Sequence, residues 1–312
     1  MDIRNYQPGD DAVQAAIYNE AAGQLPKFKA ATEGDVSRRC KAPDFDPGSR
    51  FYAIDGGRTV GYAMFHPNGR VNYPWCRKGH ESAAEALFEA AEKGMRARGI
   101  SLAFAAYRGD WGAQKEFFLG HGYKLAREMV NFVVDQVELP TRTGKLSNPL
   151  SPLSREDVPA IFALAPKVLR VSSAEALEKH LFENTYFKPE SVFVLRSRAN
   201  NVPLAAGIVI DNSSYADPKQ VDAAMPCFRL GAFGSEGMQA KRINGLFSFL
   251  CASDRDVNPL ALDLMHHATV RLEESDAGSL AAQVPSDAPH LLQFYQRYFR
   301  RQASFPVFEK VL

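Results

Sequence analysis

The chain has 312 residues, 46% of them hydrophobic and 23% charged, the proportions of an ordinary soluble globular protein long enough for two domains. Its 37 Lys and Arg against 36 Asp and Glu leave a net charge of +1, in small clusters, which gives no support for a nucleic-acid or membrane partner. No apolar run approaches transmembrane length and the first residues lack a signal-peptide pattern. Cys40, Cys76, Cys227 and Cys251 are scattered without CxxC spacing, as expected of isolated thiols in a reducing, cytoplasmic compartment.

The opening residues predict a strand followed by a helix over 12–21, with Asp10 or Asp11 placed to cap it. Residues 25–49 are polar and interrupted by Pro26, Pro43 and Pro47, which predicts an irregular helix at most. Short aromatic and β-branched runs at 51–54 and 60–65 flank Asp55-Gly56-Gly57, a hairpin signal. A basic loop containing Gly79 follows over 73–81. It runs into Ala83, Leu87, Ala90, Ala91 and Met95, which recur at helical spacing until Gly99 stops them. A strand over 101–106, a helix over 112–119 and a closing strand pair complete this stretch. Residues 139–149, with Pro140, Gly144 and Pro149, have no periodicity and read as a linker.

From Leu150 the same order returns with different residues, the mark of an internal repeat. A strand turns through Glu156 and Asp157 into a helix, and runs at 191–195 and 204–210 flank the polar turn at Ala199-Asn200-Asn201. A strand at 228–233 and a loop at 234–245 are expected to lead into a helix over 246–250. A longer helix over 259–273, a strand over 279–284, a helix over 289–301 and a strand over 303–311 follow. Two diverged copies of one unit, at 1–138 and 150–312, are the predicted domains.

The hairpin before the loop, the small-residue helix EALFEAAEKGMRARG, the ending EFFLGHGY and the opening IRNYQPGDDAVQAAIYN together resemble the GNAT superfamily of N-acetyltransferases. That resemblance implies a tandem of two GNAT-like acyl-CoA N-acyltransferase domains, each an α/β unit with a mixed sheet, using acetyl-CoA as co-substrate. It also implies transfer of the acetyl or another acyl group directly to an amine, on a small molecule or a protein. In tandem members one unit can be worn down into a scaffold.

A helix N-terminus offers free N–H groups and a positive dipole end to a pyrophosphate. The superfamily's loop there reads Gln/Arg-x-x-Gly-x-Gly/Ala. In the second domain Arg242, Ile243, Asn244 and Gly245 match it as far as the first glycine. Leu246 follows, Phe247 stands where Gly or Ala is the rule, and Lys241 adds charge. These residues, with Phe233 and Gly234 at the end of the preceding strand, are the implied cofactor contacts. In the first domain Arg77, Lys78, Gly79 and His80 hold the corresponding place. There Cys76 and Glu81 take the other pattern positions, and Glu81 brings like charge to the pyrophosphate. In both domains a solvated basic turn capping a helix is the structural alternative.

Superfamily members often use a tyrosine on the last helix to protonate the departing thiolate, and a glutamate or a water chain as base. Tyr295 stands at the matching place in the second domain, where the first has Phe118. This asymmetry assigns the chemistry to the second domain. Leu291, Tyr295 and Tyr298 also form a stripe at helical spacing, so a core role for Tyr295 competes with the acid role. Glu236 is the candidate base, although loop glutamates are ordinarily solvated. Gly231–Gly237 lacks the spacing of a nucleotide loop, adjacent His266 and His267 diverge by about 100° on a helix, and no G-x-S-x-G elbow is present. Dinucleotide, zinc and serine-hydrolase chemistry are therefore not indicated. The rival to an active enzyme is a tandem CoA-binding or ligand-binding module without turnover, which Glu81 and Phe247 keep open.

Overall fold

A computed structural model describes all residues except 42–44, 140–145, 170, 172, 184–186, 211–244 and 276–277. The chain is a mixed α/β protein that divides into two compact units. The first comprises Met1–Arg127 with Phe305–Leu312, and the second Glu128–Ser304. This division differs from the expected one at 139–149, and each of its two crossings falls inside a strand.

In the first unit β1 (Asp2–Asn5) pairs antiparallel with β2 (Arg50–Asp55), β2 with β3 (Arg58–Met64), and β3 with β4 (Trp75–Cys76). The predicted hairpin is present. Gly56 and Gly57 turn it with φ of 53° and 77°, left-handed values that only glycine adopts without strain. Helix α1 (Asp10–Ala22) begins earlier than predicted, behind Gly9, and neither aspartate caps it by a side-chain hydrogen bond. Asp10 instead accepts the Gln7 amide at 2.7 Å and pairs with Arg4 at 2.7 Å. Within the polar stretch α2 (Glu33–Cys40) is capped by Thr32, whose hydroxyl accepts from the Asp35 amide.

Helix α3 (Ala83–Ala97) turns Ala83, Leu87, Ala91 and Met95 inward, one residue per turn, against Val60, Phe65 and Val71. Burying Leu87 fully contributes about 1.5–3 kcal/mol. Then come β5 (Leu102–Ala106), α4 (Gly112–Gly120) and the start of β6 (Lys124–Asp135). The strand antiparallel to β5 is not its neighbour in sequence. It is residues 307–311 of β12 (Arg300–Val311), whose Phe308 enters this core beside Phe118 and Tyr123. Lys310 of that segment reaches the buried Glu92 carboxylate at 2.7 and 2.9 Å.

In the second unit the sheet runs β6-β11-β10-β9-β8-β7. Its strands after β6 are β7 (Leu150–Pro152), β8 (Val192–Arg196), β9 (Pro203–Ile210), β10 (Gly245–Cys251) and β11 (Ser279–Pro285). Here the strand beside β11 is Met129–Asp135 of β6, antiparallel throughout. Helices α8 (Val257–Glu273) and α9 (Pro289–Tyr298) share one core with Phe132, Phe193, Val209, Phe247 and Phe249. The opposite core holds Val133, Val194, Ile208 and Leu250 with Ile161 of α5 (Val158–Leu164) and Leu177 and Leu181 of α7 (Ala174–Phe182). A four-residue helix, α6 (Pro166–Leu169), joins the last two. Both units therefore share one order: strand, helices, hairpin, strand, long helix, strand, helix, strand.

That order corrects the predicted helix over 246–250, which is strand β10. Leu246, Ser248 and Leu250 alternate with Phe247, Phe249 and Cys251, and the two sets face opposite cores. A seven-residue, aromatic-rich apolar run buried on both sides suits a strand, and periodicity alone does not separate it from a helix. Strand β10 is thus the counterpart of β4, and α8 the counterpart of α3. The predicted strand over 228–233 lies outside the described residues.

Candidate functional site

Strand β10 pairs with β9 from Leu246 to Cys251, but with its parallel neighbour β11 only at Gly245–Leu280 and Leu246–Ala281. From Phe247 onward the side of β10 turned to β11 has no ladder partner. Main-chain N–H and C=O groups left this way need other partners, which a ligand carrying amides can supply. Tyr295 of α9 packs at this place. Its ring stacks on Phe132 and Phe249 at 5.7 and 5.5 Å and meets Phe299 edge-on at 4.9 Å.

Only 1% of Tyr295 is exposed, and its hydroxyl is buried with no hydrogen bond of ordinary geometry. It faces the Ser248 side chain and the Phe249 main chain. Burial raises its pKa far above the usual phenol range, against the weaker pull of those two groups, so the phenol stays protonated. The arrangement is a protonated donor, held by aromatic packing, beside an unpaired strand edge. Both sequence expectations for Tyr295, core residue and proton donor, are compatible with it.

The other second-unit candidates fare differently. Phe233, Gly234, Glu236, Lys241, Arg242, Ile243 and Asn244 lie outside the described residues. Gly245 and Leu246 are described, and they correct the expected loop-to-helix junction, because they open a strand. The helix that follows starts only at Val257, beyond the far end of β10, which is about 20 Å long at the usual rise per residue. Gly245 therefore does not lie at a helix N-terminus. Residues 252–256 lead into α8 instead, and Asp256 caps it by accepting the Asn258 amide at 3.2 Å. An Asp three residues ahead of Pro259, which falls in the helix's first turn, is a readable capping signal.

In the first unit Arg77, Lys78, Gly79 and His80 do link a strand, β4, to a long helix, α3. Gly79 has φ of 84°, which fixes glycine there. The loop's donors are engaged by the chain itself. The Lys78 amide and the Arg77 guanidinium donate to Glu20 at 3.1 and 2.5 Å, and the Gly79 amide donates to Glu81 at 3.0 Å. Partial burial works to raise the Glu20 pKa, but the Lys78 amide and Arg77 outweigh it and hold the carboxyl below its usual range. Glu81 is likewise held low by its own amide and that of Gly79. His80 lies 3.5 Å from Asp55. Two carboxylates thus sit where an anionic ligand would need the amides.

The first unit also differs beside its unpaired strands. Residues near Gly69 and Val71 bond Phe104 of β5 at 2.8 and 2.9 Å, and by β4 this pairing has ended. There the Tyr73 amide donates to the Tyr107 hydroxyl at 2.6 Å, and the Tyr107 ring stacks on Trp111 and Phe118. Burial pushes the Tyr107 phenol up to about 12. Phe118, fully buried, has no proton to give.

No group of three or more His, Cys, Asp and Glu side chains suited to a metal occurs among the described residues. No described helix is long and apolar enough to cross a membrane. A comparison with known protein families finds no match for the sequence, and none is found among curated proteins. Among solved structures the chain is similar to a GCN5-related N-acetyltransferase from Sphaerobacter thermophilus at 12% identity and a TM-score of 0.61. That match covers 99% of this chain and 95% of the other. Enzymes of the same description from Anabaena variabilis ATCC 29413 and Kribbella flavida match at 9% and 11% identity, each with a TM-score of 0.53. They cover 99% and 100% of this chain, and 72% and 71% of theirs. At such identities the likeness is one of fold.

Proposed function

The chain has the fold of the GCN5-related N-acetyltransferases, and from that premise we propose that its second unit transfers an acetyl or other acyl group from acyl-CoA directly to an amine. The observation that carries this is the buried, protonated Tyr295 hydroxyl, without a hydrogen bond of ordinary geometry, beside the unpaired edge of β10. The edge beyond Leu246 suits the amide-bearing arm of CoA, which adds to a strand as a peptide would. The amine nitrogen attacks the thioester carbonyl carbon, the carbon–sulfur bond breaks, and the sulfur takes the Tyr295 proton. The proton released by the amine leaves through solvent and restores the phenol, so the products are the N-acyl amine and free CoA thiol.

In this proposal the first unit is a scaffold. Glu20 and Glu81 hold its loop amides, and Phe118 replaces the acid. Glu236 is retained as candidate base and is tested in the same way as Tyr295, by substitution. A second reading, a CoA-binding or ligand-binding module without turnover, draws on the Ser248 side chain and Phe249 main chain that face the Tyr295 hydroxyl and suit a structural role for it. Calorimetry with acetyl-CoA, followed by thiol release across an amine panel, separates the two. Binding with turnover supports transfer, binding without turnover supports the module, and no binding removes both.

A further inference from the structure

The registers of β6, β11 and β10 place side chains in rows across one face of the second unit's sheet. Val133 lies opposite Ala281, which lies opposite Leu246, an apolar row in the opposite core from Tyr295. One step along on the same face come Asn131, paired with Gln283, and then Ser248 on β10, just past the last β10–β11 pair. These three are polar and buried, with 5%, 5% and 8% exposure, and the Gln283 amide donates to the Asn131 side-chain oxygen at 2.9 Å. The following row, Met129, Pro285 and Leu250, is apolar again. A polar row flanked by apolar rows thus stands where β10 and β11 cease to pair, and polar residues return on this face at Asp135 and Ser279, beyond the Val133 row.

Three buried polar side chains between two apolar rows are costly unless hydrogen bonds compensate them. Sheet pairing does not explain the row, since the ladder uses main-chain groups only. The row reaches the same place as the Tyr295 hydroxyl, which faces Ser248 from the other side of the sheet. The row and the apolar rows on either side of it contain no ionisable side chain. What they offer a ligand is two carboxamides and a hydroxyl, which donate and accept hydrogen bonds without charge.

Resting on the transfer proposed above, we infer that Asn131, Gln283 and Ser248 form the element that selects the acceptor. They favour an amine flanked by uncharged amide or hydroxyl groups over a polycation. A polyamine needs carboxylates to replace its hydration, and this row supplies none. An amino amide or amino sugar presents groups that match the row.

The test measures thiol release from acetyl-CoA with glycinamide, glucosamine and spermidine, using the full chain. Wild type should use glycinamide or glucosamine with a kcat/KM at least tenfold above that for spermidine. Gln283→Leu should raise the KM for the preferred amine about tenfold, the loss of one neutral hydrogen bond, with kcat and the KM for acetyl-CoA unchanged. Ser248→Ala, a smaller change that keeps the fold if Gln283→Leu does not, should move the same KM in the same direction. Spermidine as the preferred amine overturns the inference, as does an equal loss for all three amines. So does acetyl-CoA binding without turnover of any of them. Calorimetry keeps the two levels apart: intact acetyl-CoA binding with the wrong amine preference removes only this inference, whereas absent binding removes the transfer reaction as well.

Discussion

Replacing Tyr295 by phenylalanine removes one oxygen and nothing else, and the structure sets opposite expectations for stability and for rate. The ring stays in contact with Phe132, Phe249 and Phe299, so packing is unchanged. The oxygen is buried without a hydrogen bond of ordinary geometry, a state that costs about 1–3 kcal/mol. Its removal should leave the melting temperature unchanged or raise it, by about 2–4 °C per kcal/mol for a unit of this size. Loss of a general acid should lower kcat by roughly 10²- to 10⁴-fold with the KM for acetyl-CoA nearly constant. The pH dependence adds an independent check. Burial raises the folded-state phenol pKa above its unfolded value of about 10, so the folded protein holds this proton longer than the unfolded chain. The wild-type rate should therefore show no alkaline limb near pH 10, while wild-type stability should decline as pH rises above about 10 and the variant should lack that component. Scanning calorimetry and steady-state kinetics on the two proteins measure all of this. A Tyr295→Phe protein with full kcat and a lowered melting temperature would show that the hydroxyl is a structural bond, and would refute the reasoning.

Burial, with help from Arg70, Arg50 and Arg39, lowers the His66 pKa to about 3, below the unfolded value of 6.5. The stability this withholds from the protonated state should be lost as pH falls from about 6.5 towards 3, and His66→Gln should shift the acid-unfolding midpoint to lower pH. Gly79→Ala forces a side chain to φ of 84° and should destabilise the first unit by about 1 kcal/mol, yet leave acetyl-CoA affinity unchanged by calorimetry. Lost affinity in the folded variant would move the cofactor to that unit. Lys310→Met removes the nearer cation from buried Glu92, which keeps Arg96 at 3.2 Å, and should cost about 2 kcal/mol in urea unfolding. No measurable change would show that the contact contributes nothing.

What could be read from the sequence follows how local the determining signal was. The Gly56-Gly57 hairpin and the α3 stripe of Leu87, Ala91 and Met95 depend on neighbours a few residues apart, and both are present. The repeat was visible as an order of elements, but its register slipped. The apolar run 246–250 reads as a helix from the sequence, which sets the phosphate loop one element too early. The partner of β5 was invisible, because residues 307–311 and 102–106 are joined only through long-range pairing. The polar row of Asn131, Gln283 and Ser248 was missed for the same reason, as its members come from three distant strands. Alone in its strand, each is a single polar residue in an apolar run. Tyr295 stands out by its place in the helix, but only the structure shows its hydroxyl buried without a hydrogen bond of ordinary geometry.

The allocation of residues 305–312 to the first unit bears on how the protein is made. Phe308 and the strand pairing with residues 102–106 belong to the core built around α3, but the ribosome reaches them only after the whole second unit. At typical elongation rates, for about 10–35 s the first unit waits with β5 lacking that partner. During that interval the exposed main-chain groups of β5 are open to pairing with other nascent chains. Yield in the cell is thus expected to depend on translation speed and on chaperone cover across the second half of the message, more than on the stability of either finished unit.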